Sequence, residues 1–134
     1  MRSDLRSYRT GDAEAVLDIT ADCVAYVADE RDGLLHVFVP HATAGLAIIE
    51  TGAGSDDDLL TALADLLPAD GRWKHQHGSK GHGRSHVMPA MVPPHLSIPV
   101  VDGSLMLGTW QSVCLVDLNV DNHDREVRLS FVRG

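Results

Sequence analysis

Eight histidines stand in a chain of 134 residues, and four of them fall in the single stretch Trp73-Lys74-His75-Gln76-His77-Gly78-Ser79-Lys80-Gly81-His82-Gly83-Arg84-Ser85-His86. Neutral imidazole is the commonest protein metal ligand and the side chain best suited to proton transfer near neutral pH. A glycine-rich loop that gathers imidazoles can therefore build a divalent-metal site or an acid–base site. Interleaving with Trp73, Lys74 and Arg84, far from either terminus, sets this stretch apart from an expression tag. His75 and His86 lie at the two ends of the loop, whose glycines let those ends approach. His41 closes the apolar run Leu34-Leu35-His36-Val37-Phe38-Val39-Pro40, where a rigid strand can hold a side chain in place. Three imidazoles with one open position suit a catalytic zinc-like site, so His41, His75 and His86 are the predicted ligands. Glu50 ends the next strand, expected antiparallel to that of His41. It is the candidate general base, fourth ligand or hydrogen-bond partner of a ligand.

Plainer alternatives stand beside these assignments. His41 can be a hydrogen-bonded turn residue, and Glu50 an ordinary strand-end carboxylate. His77, His82, His36, His95 and His123 read as solvated histidines. Gln111 can orient a substrate or satisfy a bulged backbone, and Trp110 can stack on a ligand or fill a core. Backbone amides near Gly45, Gly108 and Thr109 can approach an anion such as phosphate. The chain contains neither GxxxxGKS/T nor GxGxxG, which disfavours nucleotide chemistry, and no GxSxG elbow, which disfavours a hydrolase triad.

Hydrophobic periodicity supplies the elements that must hold these groups. Leu5 to Arg9 and Ala13 to Ile19 read as strands around the turn Thr10-Gly11-Asp12. Thr20 is the expected N-cap of a helix that buries Cys23, Val24 and Val27 and ends near Gly33. Leu34 to Val39 and Leu46 to Glu50 read as strands. Ser55 is the expected cap of a second helix, with Asp56, Asp57 and Asp58 in its first turn and Leu59, Leu60, Leu63, Leu66 and Leu67 at helical spacing before Pro68. A polar loop spans 69–85, and residues 86–91 carry no clear pattern. The remainder reads as β: Leu96 to Val101, a turn at Asp102-Gly103, Leu105 to Leu118 with a bulge at Gly108, and Glu126 to Val132.

Composition bounds the rest. The length fits one domain, and 44% apolar residues suffice for a modest core. A net charge of −8 argues against nucleic-acid binding, which needs a basic face. Cys23 and Cys114 sit in apolar surroundings without CxxC spacing and read as buried thiols. No run approaches the roughly 18 apolar residues of a membrane span, and the N-terminus lacks an apolar signal region. The expectation is a cytoplasmic protein with no membrane partner.

Two motifs carry a resemblance. Pro40-His41-Ala42-Thr43-Ala44-Gly45-Leu46-Ala47-Ile48-Ile49-Glu50 resembles the HTTAGLTINE signature of the YjbQ family. Ser97-Ile98-Pro99-Val100, Asp102-Gly103 and Leu107-Gly108-Thr109-Trp110-Gln111 resemble that family's TIPV, DG and LGTWQ hallmark in the same order. The resemblance spans nearly the whole chain. It implies one α+β domain over residues 1–134, a compact sandwich of largely antiparallel sheet with two main helices. It also implies a homotrimer whose site lies near the subunit boundary. The family is known as secondary thiamine-phosphate synthases, which implies a weak condensation of a pyrimidine diphosphate with a thiazole phosphate. A trimeric module that binds a metal or a small phosphorylated ligand without turnover is the alternative. By this resemblance His41, Glu50 and Gln111 are catalytic candidates. Thr43, Gly45, Arg84, Thr109 and Trp110 are substrate-binding candidates, and His41, His75 and His86 are candidates for a zinc-like divalent ion. Met88 stands where the family's loop carries Lys, and Arg84 is the nearest residue able to replace that charge.

Overall fold

A computed structural model describes residues 1–134. In chain order the elements are β1 (Arg2–Arg9), β2 (Ala15–Asp18), α1 (Thr20–Val27), β3 (Gly33–Phe38), β4 (Ala44–Ile49), α2 (Ser55–Leu66), α3 (Gly83–Val87), β5 (His95–Val101), β6 (Ser104–Leu105), β7 (Ser112–Asp117) and β8 (Asp124–Arg133). A single 3-10 turn, Met88–Ala90, follows α3. Every strand pairing is antiparallel. Five strands form one sheet in the order β1-β8-β3-β5-β6, and three form a second in the order β2-β7-β4.

Side-chain alternation explains the layering. Along β8, Val127, Leu129 and Phe131 point inward, while Arg128 and Val132 face away. β7 is buried on both faces. Val113 and Leu115 join β3, β5, β8 and α1 in a core of 16 buried residues. Val116 instead packs with Leu63 and Leu67 at the α2 side, and with Met88 and Val92, in a second cluster. The small sheet is thus the middle layer, with the large sheet on one side and α2 on the other. Cys23 and Cys114 are buried free thiols, each pushed up to about 12, by burial first and then by nearby carboxylates. No helix is long and apolar enough to cross a membrane.

Several expectations change. Leu105 to Leu118 is not one strand: β6 ends at Leu105, and β7 begins at Ser112 in the other sheet. Between them the chain turns, with Gln111 N–H donating to Gly108 O at 3.0 Å and Gln111 Oε1 accepting from Gly108 N–H at 2.7 Å. The strands before His41 and Glu50 are not partners, because β3 and β4 belong to different sheets. Neither helix cap forms as expected. Thr20 gives its hydroxyl to Asp18 at 2.6 Å and receives Val113 N–H at 2.8 Å, and Gly54 at positive φ precedes α2 without a side-chain bond. The end of the expected polar loop 69–85 and most of the patternless segment 86–91 form α3 and the 3-10 turn that follows it.

The two sheets meet at a buried ion pair. Asp117, at the end of β7, and Arg125, near the start of β8, are both 1% or less exposed. Arg125 Nε reaches Oδ2 at 2.7 Å, and Nη2 reaches Oδ1 at 2.9 Å. Thr10 Oγ1 at 2.8 Å and Asn119 N–H at 2.9 Å complete the carboxylate. Arg125→Met leaves this carboxylate buried without its cation and is predicted to lower stability by about 3–5 kcal/mol. The double variant Asp117→Leu/Arg125→Met should recover much of the loss; urea unfolding of both variants checks it.

Candidate functional site

The site is built on the segment between α2 and α3. Trp73 lies partly buried against the second apolar cluster and donates its indole N–H to Pro68 O at 2.8 Å, which anchors the loop to the end of α2. Gln76 donates to Gly71 O at 3.1 Å, and Arg72 clasps Asp70 at 2.8–3.1 Å. The chain then folds back on itself. A Cβ on Gly83 would lie 2.4 Å from His75 O and 2.5 Å from Trp73 Cβ, so only glycine allows the two limbs to touch. Gly78 has φ of +71°, and a Cβ there would meet Asp121 Oδ2 at 2.7 Å.

This folding brings together His75, His77, His82 and His86. One ring nitrogen from each lies within 4.8 Å of all the others. His82 and His86 are four residues apart around one helical turn, which puts them on the same face. Their Nε2 atoms stand 3.0 Å apart. His75 and His77, two apart in the extended limb, bring Nε2 against Nε2. The rings of His75 and His86 stack at 3.8 Å between centroids. His77 and His82, read from sequence as solvated, are therefore members of the cluster. His82 is only 8% exposed because the α3 turn and the β7–β8 loop close over it.

The electrostatics favour the neutral form of His75 and His86. Desolvation lowers the pKa of His75, reinforced by His77 and His82. Desolvation also lowers that of His86, and His75, His82 and His77 lower it further. A carboxylate anchors the buried side: Asp121 Oδ2 accepts from His82 Nδ1 at 2.8 Å. Bonds from Ser79, backbone first and then hydroxyl, hold the Asp121 carboxyl below its ordinary range. Two nitrogens bound tetrahedrally to zinc are about 3.4 Å apart when each bond is about 2.0–2.1 Å. The ring nitrogens of His82 and His86 stand 3.0 Å apart and no donor is more than 4.8 Å from another, so a modest adjustment of the rings on either side of that spacing lets the four hold a divalent cation.

The other sequence candidates lie elsewhere. His41 does not join the cluster; its Nε2 accepts the Glu126 backbone N–H at 2.9 Å, and burial, then Arg125, lowers its pKa. Glu50 is exposed just beyond β4 and makes no hydrogen bond to the histidines. Thr43 is buried, with Oγ1 accepting from Arg125 at 2.8 Å and Asn119 at 3.1 Å. Gly45 is fixed by packing, since a Cβ would fall 1.9 Å from Val92 O. Arg84 is 5% exposed and committed to Glu14 and to Leu67 O. Thr109, Trp110 and Gln111 form the exposed turn before β7, and Trp110 is 72% exposed rather than a core aromatic.

Comparison with known proteins gives a consistent relationship. The family profile described as UPF0047 protein YjbQ-like matches residues 5–134. A UPF0047 protein of Mycobacterium bovis is 58% identical over 119 residues, covering 89% of this chain and 92% of that protein. A UPF0047 protein of Archaeoglobus fulgidus is 31% identical over 111 residues, covering 83% of this chain and 86% of that protein. Among solved structures, the hypothetical protein APE1520 of Aeropyrum pernix superimposes with a TM-score of 0.89 at 29% identity, each chain covered in full. A YjbQ/UPF0047-family protein of Clostridium acetobutylicum gives 0.86 at 27% identity, with 96% of this chain and 99% of that one covered. The α+β fold agrees with these solved structures, and the chain belongs to the YjbQ/UPF0047 family.

Proposed function

We propose that His75, His77, His82 and His86 bind one zinc-like divalent cation, and that this centre serves a transferase acting on a small phosphorylated substrate. The observation that carries the reading is the convergence of four ring nitrogens within 4.8 Å. All four donors are uncharged when they bind, so the ion's positive charge is left to act on an anion. The reaction proposed from the family resemblance is that of a secondary thiamine-phosphate synthase. A thiazole phosphate nitrogen bonds to the methylene carbon of a pyrimidine diphosphate as the carbon–oxygen bond to diphosphate breaks. A bound cation supplies charge stabilisation for the departing diphosphate.

The chain's own residues hold the site. Trp73, Gly83 and the His82–Asp121 bond keep the imidazoles in place. Lys74 and Lys80 project from the same loop and add positive charge beside it. Because the condensation step releases no proton, Glu50 is proposed as the carboxylate that offsets the positive charge forming on the thiazole ring, and Thr109, Trp110 and Gln111 as substrate contacts. They lie on other elements, so their part rests on a site completed across subunits. A homotrimer is proposed on the same ground. The outer face of the large sheet leaves Leu34, Phe38 and Val132 between 39% and 46% exposed, apolar surface that another protomer can cover.

One observation favours the non-catalytic alternative. Four histidines fill a tetrahedral zinc shell and leave no open position, as in structural sites. Assay of the two substrates with His86→Ala as control separates the readings. Turnover that survives repurification and disappears in the variant supports the enzyme. Stoichiometric metal without turnover supports the binding module.

Dialysed protein should retain about one divalent ion per chain at pH 7.5 by elemental analysis, and His82→Ala/His86→Ala should abolish it. Metal unaffected by that double change contradicts the proposal. Affinity should fall as pH drops below about 6.5, because ligands must be deprotonated. The metal-free protein should behave in the same sense. His75 and His86 have folded pKa values below 6.5, so the unfolded chain takes up protons first. Their contribution to stability is present above about pH 6.5 and is lost as pH falls towards the folded values. Glu50→Gln should keep metal and fold while turnover drops by roughly 10²–10³, the scale for losing one preorganised electrostatic group. Loss of metal in that variant would make Glu50 a ligand instead.

A further inference from the structure

We infer that Asp121 is the positioning residue of the histidine centre. Its Oδ2 accepts from His82 Nδ1 at 2.8 Å, from Ser79 Oγ at 2.9 Å and from Ser79 N–H at 3.1 Å. An ionised carboxylate only accepts hydrogen bonds, so the proton between the two groups belongs to His82 Nδ1. A neutral imidazole with its proton on Nδ1 has its lone pair on Nε2. That is the atom 3.0 Å from His86 Nε2 and turned into the cluster. Asp121 thereby chooses the tautomer of His82 and fixes the rotation of its ring. Its two bonds to Ser79 also tie down the loop midway between His77 and His82.

The position of Asp121 is itself determined. Its backbone N–H donates to Asn119 Oδ1 at 2.9 Å, and Asn119 donates through Nδ2 to Thr43 and through its own N–H to Asp117. The segment Asp117-Leu118-Asn119-Val120-Asp121 is therefore a polar ladder that runs from the buried ion pair to the histidines, using every second residue. Oδ2 takes up the space beside Gly78 that a side chain would fill, 2.7 Å from where a Cβ would stand, so the contact depends on glycine there. Carboxylate partners of this kind commonly orient metal-binding histidines.

The inference rests on the cation reading for its consequence but not for its geometry, and two measurements separate them. The first is long-range proton–nitrogen correlation NMR of the metal-free chain at pH 8. Wild type should show His82 protonated on Nδ1 and bare on Nε2. Asp121→Ala should lose this preference, while Ser79→Ala, which leaves the His82 bond in place, should keep it. The second is Co²⁺ titration followed by the absorption of the bound ion. Asp121→Ala should bind about 10- to 100-fold more weakly with an altered spectrum. Asp121→Asn, whose amide oxygen still accepts, should fall in between and also tests the inference if the alanine variant unfolds. Wild-type His82 protonated on Nε2 overturns the inference, and so does unchanged Co²⁺ affinity in a folded Asp121 variant. The expected tautomers in a wild type that binds no Co²⁺ leave the positioning role standing and overturn the cation reading.

Discussion

A carboxylate taken out of water must find a partner for each lone pair, and Asp117 does so with residues from three parts of the chain. Arg125 comes from β8, Thr10 follows β1, and Asn119 follows β7. Thr43, just before β4, braces the same guanidinium at 2.8 Å. β7 and β8 belong to different sheets, so this cluster fastens one sheet to the other. Apolar packing alone tolerates sliding between layers, whereas a bidentate pair with fixed donors does not. A buried ion pair is weak evidence for stability, because well-packed apolar residues do as well. Its consequence here is registry: it fixes where the chain leaves β7 and so where Asp121 stands.

The histidine loop inherits that registry. It contains few residues with apolar side chains to bury, and its order comes from Trp73 on one limb, Asp121 beside the middle and α3 at the end. Such a loop between two elements is a common place for chemistry, since a rigid scaffold holds it while its side chains stay accessible. His75 and His77 are exposed and His82 is buried, so the cluster has a solvent side and a protein side. Lys74 and Lys80 lie on the same loop as the solvent-side imidazoles, although the chain as a whole carries −8. Local rather than net charge sets what such a site attracts.

Much of this was legible in the sequence, and the failures have physical causes. Period-two runs located most strands, and leucine spacing located α2, because both patterns report burial directly. Periodicity does not say which sheet a strand joins, and so His41 and Glu50 were placed on neighbouring strands that β3 and β4 are not. Arg84 looked free because its partner Glu14 is 70 residues away. The signal for His77 and His82 was present as spacing. His-x-His suits one side of an extended limb, and His-x-x-x-His suits one face of a helical turn. Both lie in or at the edge of the polar stretch 69–85, which has no apolar periodicity to mark its limbs. The side chain of Gln111 closes its own turn, a local bond that apolar periodicity does not report.

The central claim is that four imidazoles, held by the ladder from Asp117 to Asp121, form one cation site. Zinc K-edge X-ray absorption on protein loaded with one equivalent of Zn²⁺ tests it most directly. The account predicts a single shell of nitrogen at about 2.0–2.1 Å, with the multiple scattering of at least three imidazoles. A shell containing sulfur, or one of oxygen without imidazole scattering, would contradict it.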